Sequence, residues 1–327
     1  MKKRVIVCGF GFMGQNHAAN IFKSSDLELA AVVDPMPKEN HKPVAGNVAT
    51  ATFDWALLDN IPFYATISEA VANCSFDAAV ICSPTFAHAA AAVECVENGK
   101  SVFLEKPLCS DMNEAQQILS AIDGKDCVFH VGHCLRFFPE YSYLKKICSE
   151  KTYGELKYLK LLRKTGVPSW GAWKDKDTSI GSITGPVFDL NIHDVDFALY
   201  VAGVPQTLTA EREPYAEKLF KSIWKYDSGL TVEIEGGFAA QSFYPFRAGY
   251  TAIFENAILE FNTLAKEPLV LTTSEGSAAV TPDAADGYLL ELQAFTAELL
   301  GKSADHCSVQ EAANAVEYSK KIIANLI

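Results

Sequence analysis

Over roughly its first 130 residues the chain alternates short, mostly apolar runs with segments whose apolar residues recur at helical spacing. Val5–Cys8, Leu27–Val33, Ala78–Ile81, Val102–Leu104 and Val128–Val131 read as strands, and Pro62–Tyr64 as a weaker one. Between them Met13–Lys23, Ser68–Ala72, His88–Asn98 and Asn113–Ile122 read as helices. Ser68 and either Ser110 or Asp111 supply helix-start chemistry, and Gly99 and Gly124 supply stops. Strand runs without polar alternation belong to a sheet covered on both faces, and the βαβα rhythm predicts parallel strands joined by right-handed crossovers.

The pattern changes after residue 132. Tyr141–Ser149 is helical in spacing, Leu156–Lys164 strand-like, and a loop rich in Trp, Gly and Asp leads to a helix expected over Asp189–Tyr200. From Leu208 to Val280 the period falls to two, most clearly in Thr231–Glu235 and Ile258–Phe261, and Asp227-Ser228-Gly229 carries turn chemistry. Two helices, Tyr288–Leu300 and Gln310–Leu326, close the chain. The fold class expected is α/β, with a dinucleotide-binding domain over 1–132. A substrate-binding and oligomerisation domain of α+β type, with an open, mostly antiparallel sheet, is expected over 133–327. An apolar face on that sheet would be costly in water, so a homodimer or homotetramer through it is expected.

Composition narrows the function. Of 327 residues, 49% are hydrophobic and 21% charged, a globular balance that allows more than one core. A net charge of −12 without a basic stripe argues against nucleic acid as a partner. The start, MKKRVIVCGF, mimics a signal peptide, but Gly9 and Gly11 break its apolar run and no small-residue cleavage site follows. No apolar run reaches the roughly 18 residues of a membrane span, so a soluble, cytoplasmic protein is expected. The nine cysteines are scattered without C-x-x-C pairs and read as small buried hydrophobes in a reducing compartment. His130, His133 and Cys134 lie close in sequence, yet no matching ligand pair follows, so they read as a polar strand end and no metal is expected.

In RVIVCGFGFMGQ, Gly9, Gly11 and Gly14 have G-x-G-x-x-G spacing between a strand and a helix. The three positions serve a tight turn, close approach to a pyrophosphate and close helix–strand packing. Asp34 ends the second strand, where its carboxylate can accept from ribose hydroxyls and repel a 2′-phosphate, which favours NAD. Lys38, His41 and Lys42 stand nearby as groups that could reach such a phosphate, so NADP stays open.

Two further stretches carry chemistry. SVFLEKPLCS places Glu105 and Lys106 at a strand's end, where ligands of open parallel sheets bind, and Pro107 stiffens the backbone, more so if its peptide is cis. An ammonium there can stabilise charge on a substrate oxygen; the alternative is an exposed ion pair. In GPVFDLNIHDVDFALY, Asp189 and His193 are four apart and would share a helix face, the imidazole suited to proton transfer and the carboxylate to orienting it. A polar helix face, or a metal held by His193, Asp194 and Asp196, are the other readings.

Together CGFGFMG, SPTFAHAAAAVECVENGKSVFLEKPL, VGHCLRFFPEY and DLNIHDVDF resemble the Gfo/Idh/MocA family of glucose-fructose oxidoreductases and inositol dehydrogenases, over essentially the full length. The resemblance implies a Rossmann domain, NAD(P) binding and hydride transfer at a secondary alcohol or ketone of a sugar, polyol or cyclitol. By it Lys106, His193 and Asp189 are the catalytic residues. The cofactor set becomes Gly9, Gly11, Phe12, Met13, Gly14, Asp34, Ser83, Pro84, Thr85, His88, Glu105, Lys106 and Arg136. The substrate would meet Lys106, Asp189 and His193; Trp170 and Trp173 could offer a sugar ring a flat apolar face, with core or lid packing the other reading. One departure stands out: family members commonly carry glycine two residues after the aspartate, where this chain has Asn191, and a glycine-rich run before it, here Thr184-Gly185-Pro186. The rival functions are an NAD-dependent glycosidase working by transient oxidation and a non-catalytic NAD-sensing regulator.

Overall fold

Strands buried on both faces need helices above and below them, and the first sheet is built on that demand. Strand β4 (Ala78–Ile81) is buried at every position and β1 (Lys3–Cys8) over its last four. The computed structural model describes residues 2–44, 51–168 and 175–327. The chain divides into two units, one of Met1–Cys134 with Asp286–Ala313 and one of Leu135–Ala285 with Asn314–Ile327.

In the first unit β2 (Leu27–Val33), β3 (Phe63–Tyr64), β5 (Ser101–Glu105) and β6 (Phe129–Gly132) complete a six-stranded sheet of order β3-β2-β1-β4-β5-β6. All its pairings are parallel. The order reverses direction between β1 and β4, which opens the crevice where dinucleotides bind in such sheets. Helices α1 (Phe12–Lys23), α2 (Ile67–Asn73), α3 (His88–Glu97) and α4 (Met112–Ile122) connect the strands. Thr66, rather than the expected Ser68, caps α2 by accepting from the Glu69 N–H, because the helix starts a residue earlier and Ser68 lies inside it. Asp111 caps α4, accepting from the Asn113 and Glu114 N–H groups, while Glu114 accepts from the Ser110 N–H at 2.7 Å.

Helix α7 (Gly287–Leu299) was read from the sequence as part of the second domain, yet Leu292 and Phe295 join the core of the first unit with Val5, Val7, Val80 and Phe103. The expected boundary at 132/133 lies two residues from the end of that unit's leading segment, and 286–313 is the difference.

The second unit is an eight-stranded sheet of order β14-β13-β12-β11-β7-β10-β9-β8. Its central strands are β7 (Leu156–Gly166) and β10 (Thr231–Ala239), which form its parallel pair, flanked by β9 (Ala216–Lys225) and β11 (Arg247–Phe254). Strand β8 (Thr207–Glu213) ends one edge, and β12 (Ile258–Asn262), β13 (Leu269–Thr273) and β14 (Gly276–Ala279) the other, all antiparallel. Helices α5 (Pro139–Glu150) and α6 (Ile192–Ala202) belong to this unit, and α8 (Val309–Leu326) begins in the first and runs into it.

Along β7 one face buries Leu159, Leu161 and Arg163. The other is not the bare apolar surface expected from the sequence. Lys160 pairs with Glu233 at 3.0 Å and with Glu235, Lys164 pairs with Glu235, and the Tyr158 hydroxyl donates to Glu233 at 3.1 Å. These cross-strand opposite charges neutralise one another along β7 and β10.

Asp111→Ala removes a cap that serves two N–H groups and is expected to cost about 1 kcal/mol of stability, read as a lower urea midpoint with an unchanged slope. An unchanged midpoint would show that the α4 start is held by other contacts.

Candidate functional site

The turn between β1 and α1 is shaped by close backbone approaches. Gly9 has φ +88°, which residues with a Cβ rarely adopt, and its N–H donates to Val33 O at 2.7 Å. A Cβ on Gly14 would lie 2.0 Å from Gly9 O, so the helix can press on the turn only because that position is bare. Gly11 is different: a Cβ there would meet nothing within 4 Å. It opens α1, whose first turn has no side-chain cap and no acidic residue. Open space in front of an uncapped helix start fits a pyrophosphate, with Phe12 and Met13 in the first turn below it.

Asp34 follows β2, and its carboxylate accepts from the Phe10 N–H at 2.7 Å and the Met36 N–H at 2.9 Å. Fixed in this way, it keeps lone pairs for ribose hydroxyls. Two of the three nearby basic groups make contacts of their own, and the His41 ring also lies 3.7 Å from the Asp34 carboxylate. The Lys38 ammonium donates to the carbonyls of Leu58 and Asp59, and the His41 ring lies 3.1 Å from Met36 O. This leaves the acidic reading of the pocket dominant.

Next along the sheet edge, Ser83, Pro84 and Thr85 follow β4, and Glu105, Lys106 and Pro107 follow β5, so three loops from adjacent strands share one end of the sheet. The buried Ser83 Oγ has no hydrogen-bond partner, an orphan suited to a ligand. His88 is buried, with ring nitrogens 2.8 Å from Ser83 O and 2.7 Å from Pro107 O; it ties two of the loops together instead of presenting its ring to a ligand. Burial pushes its imidazole below the usual range. The Lys106–Pro107 peptide is cis.

Behind Lys106 lies a cluster that sequence reasoning missed. Glu105 is buried, one carboxylate oxygen 2.8 Å from His17 Nε2 and the other accepting from the Lys106 N–H at 3.2 Å. Glu291 of α7 completes a His17–Glu105–Glu291 group whose nitrogen and oxygen atoms lie within 4.8 Å of one another. Neither oxygen of Glu291 has a hydrogen-bond partner among the described residues, and burial, with the Glu105 charge second, pushes its carboxyl well above the usual range. The sequence held one signal: Gln15, Asn16, His17 and Asn20 put a polar face on a helix that is buried along most of its length.

In the second unit the helix expected over Asp189–Tyr200 is broken. Pro186–Leu190 forms a π-helical turn, in which the Asn191 N–H donates to Pro186 O at 2.9 Å, and α6 begins only at Ile192. Among residues 185–198 all are buried except Asp189 and His193, which are partly exposed. The acidic neighbours are spoken for. Asp194 takes both Nε and Nη2 of Arg163, at 2.9 and 3.2 Å, and Asp196 takes Nε and Nη2 of Arg136, at 3.0 and 2.7 Å. The metal reading of His193, Asp194 and Asp196 loses two of its ligands to these pairs. Arg136, expected at the cofactor, is committed to Asp196 and stacks on Tyr200, 4.4 Å from its ring centre. Trp170 and Trp173 lie outside the described residues.

Asn191, the departure noted in the sequence, turns inward. Its amide nitrogen donates to Arg163 O at 3.3 Å and to Asp194 at 3.2 Å. Room for it comes from Gly236 on β10, where a Cβ would sit 1.9 Å from that nitrogen. The substitution is therefore absorbed by the sheet. Lys106 and Glu105 belong to the first unit, Asp189 and His193 to the second.

Comparison with known proteins bears on the whole chain. Residues 3–133 match the model of the Gfo/Idh/MocA oxidoreductase family with its NAD-binding Rossmann fold. The chain is 26% identical over 310 residues to scyllo-inositol 2-dehydrogenase (NAD(+)) of Bacillus subtilis, covering 89% of this chain and 84% of that protein. It is 27% identical over 231 residues to inositol 2-dehydrogenase of Rhizobium meliloti, covering 70% and 64%. The structure of UDP-N-acetylglucosamine 3-dehydrogenase from Acidithiobacillus ferrooxidans superposes with a TM-score of 0.80 at 18% identity, over 100% and 98% of the two chains, a likeness of fold.

Two outcomes follow from the site's packing. Since folding raises the proton affinity of Glu291, its contribution to stability is complete below the unfolded value of 4.5 and is lost as pH rises toward the folded one. Glu291→Gln keeps the neutral shape, so its melting temperature should gain on wild type as pH rises above 4.5; parallel pH profiles would refute a protonated Glu291. Gly236→Ala should cost about 1–3 kcal/mol by overpacking, and clearly less in an Asn191→Gly background. An equal cost in both backgrounds would dissolve the pairing.

Proposed function

The chain belongs to the Gfo/Idh/MocA family of NAD-binding oxidoreductases, and on that premise we propose that it oxidises a secondary alcohol of a cyclitol, polyol or sugar to the ketone. It is an NAD-dependent dehydrogenase acting on CH–OH groups. The observation that carries the assignment of roles is the exposure pattern around α6, where a buried run leaves Asp189 and His193 alone within reach of a ligand.

Bound NAD supplies the hydride acceptor. His193 takes the hydroxyl proton as the carbon–hydrogen bond breaks, so the alcohol loses a proton and a hydride and gains its C=O bond. Asp189 orients the imidazole and balances its charge. Lys106 donates a hydrogen bond to the reacting oxygen and stabilises the negative charge that builds on it. Its place after the buried, tied Glu105 limits how far its backbone can drift. Asp34, held by two N–H groups while the Lys38 ammonium donates to the carbonyls of Leu58 and Asp59, supports NAD over NADP. The inositol dehydrogenases among the relatives put cyclitols first in the substrate class.

A panel of inositol isomers, polyols and sugar derivatives, assayed for NADH formation, tests the class, and release of a sugar without NADH would favour the glycosidase reading. On the active substrate, Lys106→Ala and His193→Ala should each lower kcat by about 100- to 10,000-fold while NADH fluorescence titration shows near-normal affinity. Wild-type turnover in either variant would remove that residue from the reaction.

A further inference from the structure

At the outer edge of the first sheet, away from the glycine turn, three side chains from separate segments meet around one carboxylate. His130 is on β6, the edge strand, Glu298 is in the last turns of α7, and His306 is in the connection to α8. His130 Nε2 lies 3.1 Å from one oxygen of Glu298 and His306 Nδ1 lies 3.0 Å from the other. The two imidazoles stack at 15° with centres 4.5 Å apart, so their edges point the same way, and the ligand atoms of all three residues lie within 4.8 Å of one another. A tetrahedral ion with bonds of about 2.1 Å separates its ligand atoms by about 3.4 Å, close to the spacings found.

We propose that His130, Glu298 and His306 form a binding site for a divalent transition-metal ion of the zinc type, remote from the redox chemistry.

Two neutral imidazoles and a carboxylate are a donor set matched to zinc and to neighbouring ions of the first transition row. The Nε2 of His130 is buried and faces the Glu298 carboxylate, so it points at the place an ion would occupy. Coordination would use the Nε2 lone pair of His130 and the Nδ1 lone pair of His306. Access is open, since the side chains of His306 and Glu298 are 35% and 21% exposed, and water can complete the coordination. Asp305, next to His306 and exposed, adds negative charge for an arriving cation. The site would staple the α7–α8 connection to the sheet edge, where the backbone already makes one bond, Val131 N–H to Cys307 O at 3.0 Å.

The experiment uses the full chain, stripped with chelator and titrated with zinc and with cobalt(II). Zinc should bind one ion per chain in calorimetry and raise the melting temperature. Cobalt should give ligand-field bands without the intense near-ultraviolet absorption of a thiolate ligand, which separates this site from the chain's nine cysteines. His306→Ala, at a partly exposed position, and Glu298→Gln should each weaken zinc binding by about 100-fold or more, with NADH binding retained as proof of fold. His193→Ala should leave zinc affinity unchanged. The proposal is overturned by no stoichiometric binding, by a thiolate band, by affinity that survives both substitutions at the site, or by affinity lost with His193.

Discussion

Two buried arginines decide which way α6 faces. Asp194 and Asp196 have no exposure to water, and each is held in two-point contact, by Arg163 on β7 and by Arg136 ahead of α5. A buried carboxylate cannot give up its partner without a penalty of about 3–5 kcal/mol, so a rotation of α6 that freed either one would be opposed by both. With two carboxylates and the apolar Val195 and Phe197 committed inward, His193 is the position of the first turn left facing outward. Asp189 reaches partial exposure by a different route, through the π-helical turn that shifts the backbone phase before α6 starts. The exposure of Asp189 and His193 is defined less by attraction between them than by the packing of everything around them.

The first sheet was legible because its physics is local. Strands buried on both faces are continuous apolar runs, and the glycines at 9, 99 and 124 fall where φ is positive. Gly9–Gly14, Asp34, Glu105 and Lys106 could be placed for the same reason: each ends a strand that announces itself. The second unit was legible in kind, by its two-residue period, but not in detail. Spacing of four between Asp189 and His193 fits a continuous helix as well as a π-helical turn followed by one, and nothing in the residues between distinguishes them. Asn191 looked like a change to the ligand pocket because its partner, Gly236, is 45 residues away on another strand. Tertiary complementarity of this kind leaves no trace in a single sequence. The alternation of Glu233 and Glu235 was visible in the sequence, but their pairing with Lys160 and Lys164 appears only once β7 and β10 are in register.

Polar groups inside the first unit follow a similar logic. Helix α1 is buried along most of its length, yet three of its inward residues hold other segments by hydrogen bonds. Gln15 donates to the carbonyls of Phe10 and Lys42, Asn16 accepts from the Ala51 N–H, and His17 meets Glu105. A fully apolar face would have packed at lower desolvation cost, but it could not fix the loops at the sheet's end, and satisfied polar networks specify geometry more sharply than apolar contact does. Rigid loops are what a dinucleotide site needs, since donors already in position lose little entropy when the ligand arrives.

Helix α7 shows why the chain returns to its first unit after building the second. Glu291, Phe295 and Glu298 are four and three residues apart and share one helix face. Phe295 is the apolar centre of that stripe, 5.8 Å from the Phe103 ring and 5.2 Å from the His130 ring. The carboxylates at its two ends meet histidines, Glu291 beside His17 and Glu105, Glu298 beside His130 and His306. One helix therefore anchors in the core and carries an acid to each of two places on the sheet, one beside Glu105 and one at the outer edge. The two acids differ in what surrounds them: the buried one is pushed toward its neutral form, whereas the partly exposed one is drawn the other way by His130 and His306 despite the cost of its burial. Burial, more than sequence neighbourhood, separates a carboxyl that holds its proton from one free to bind a cation.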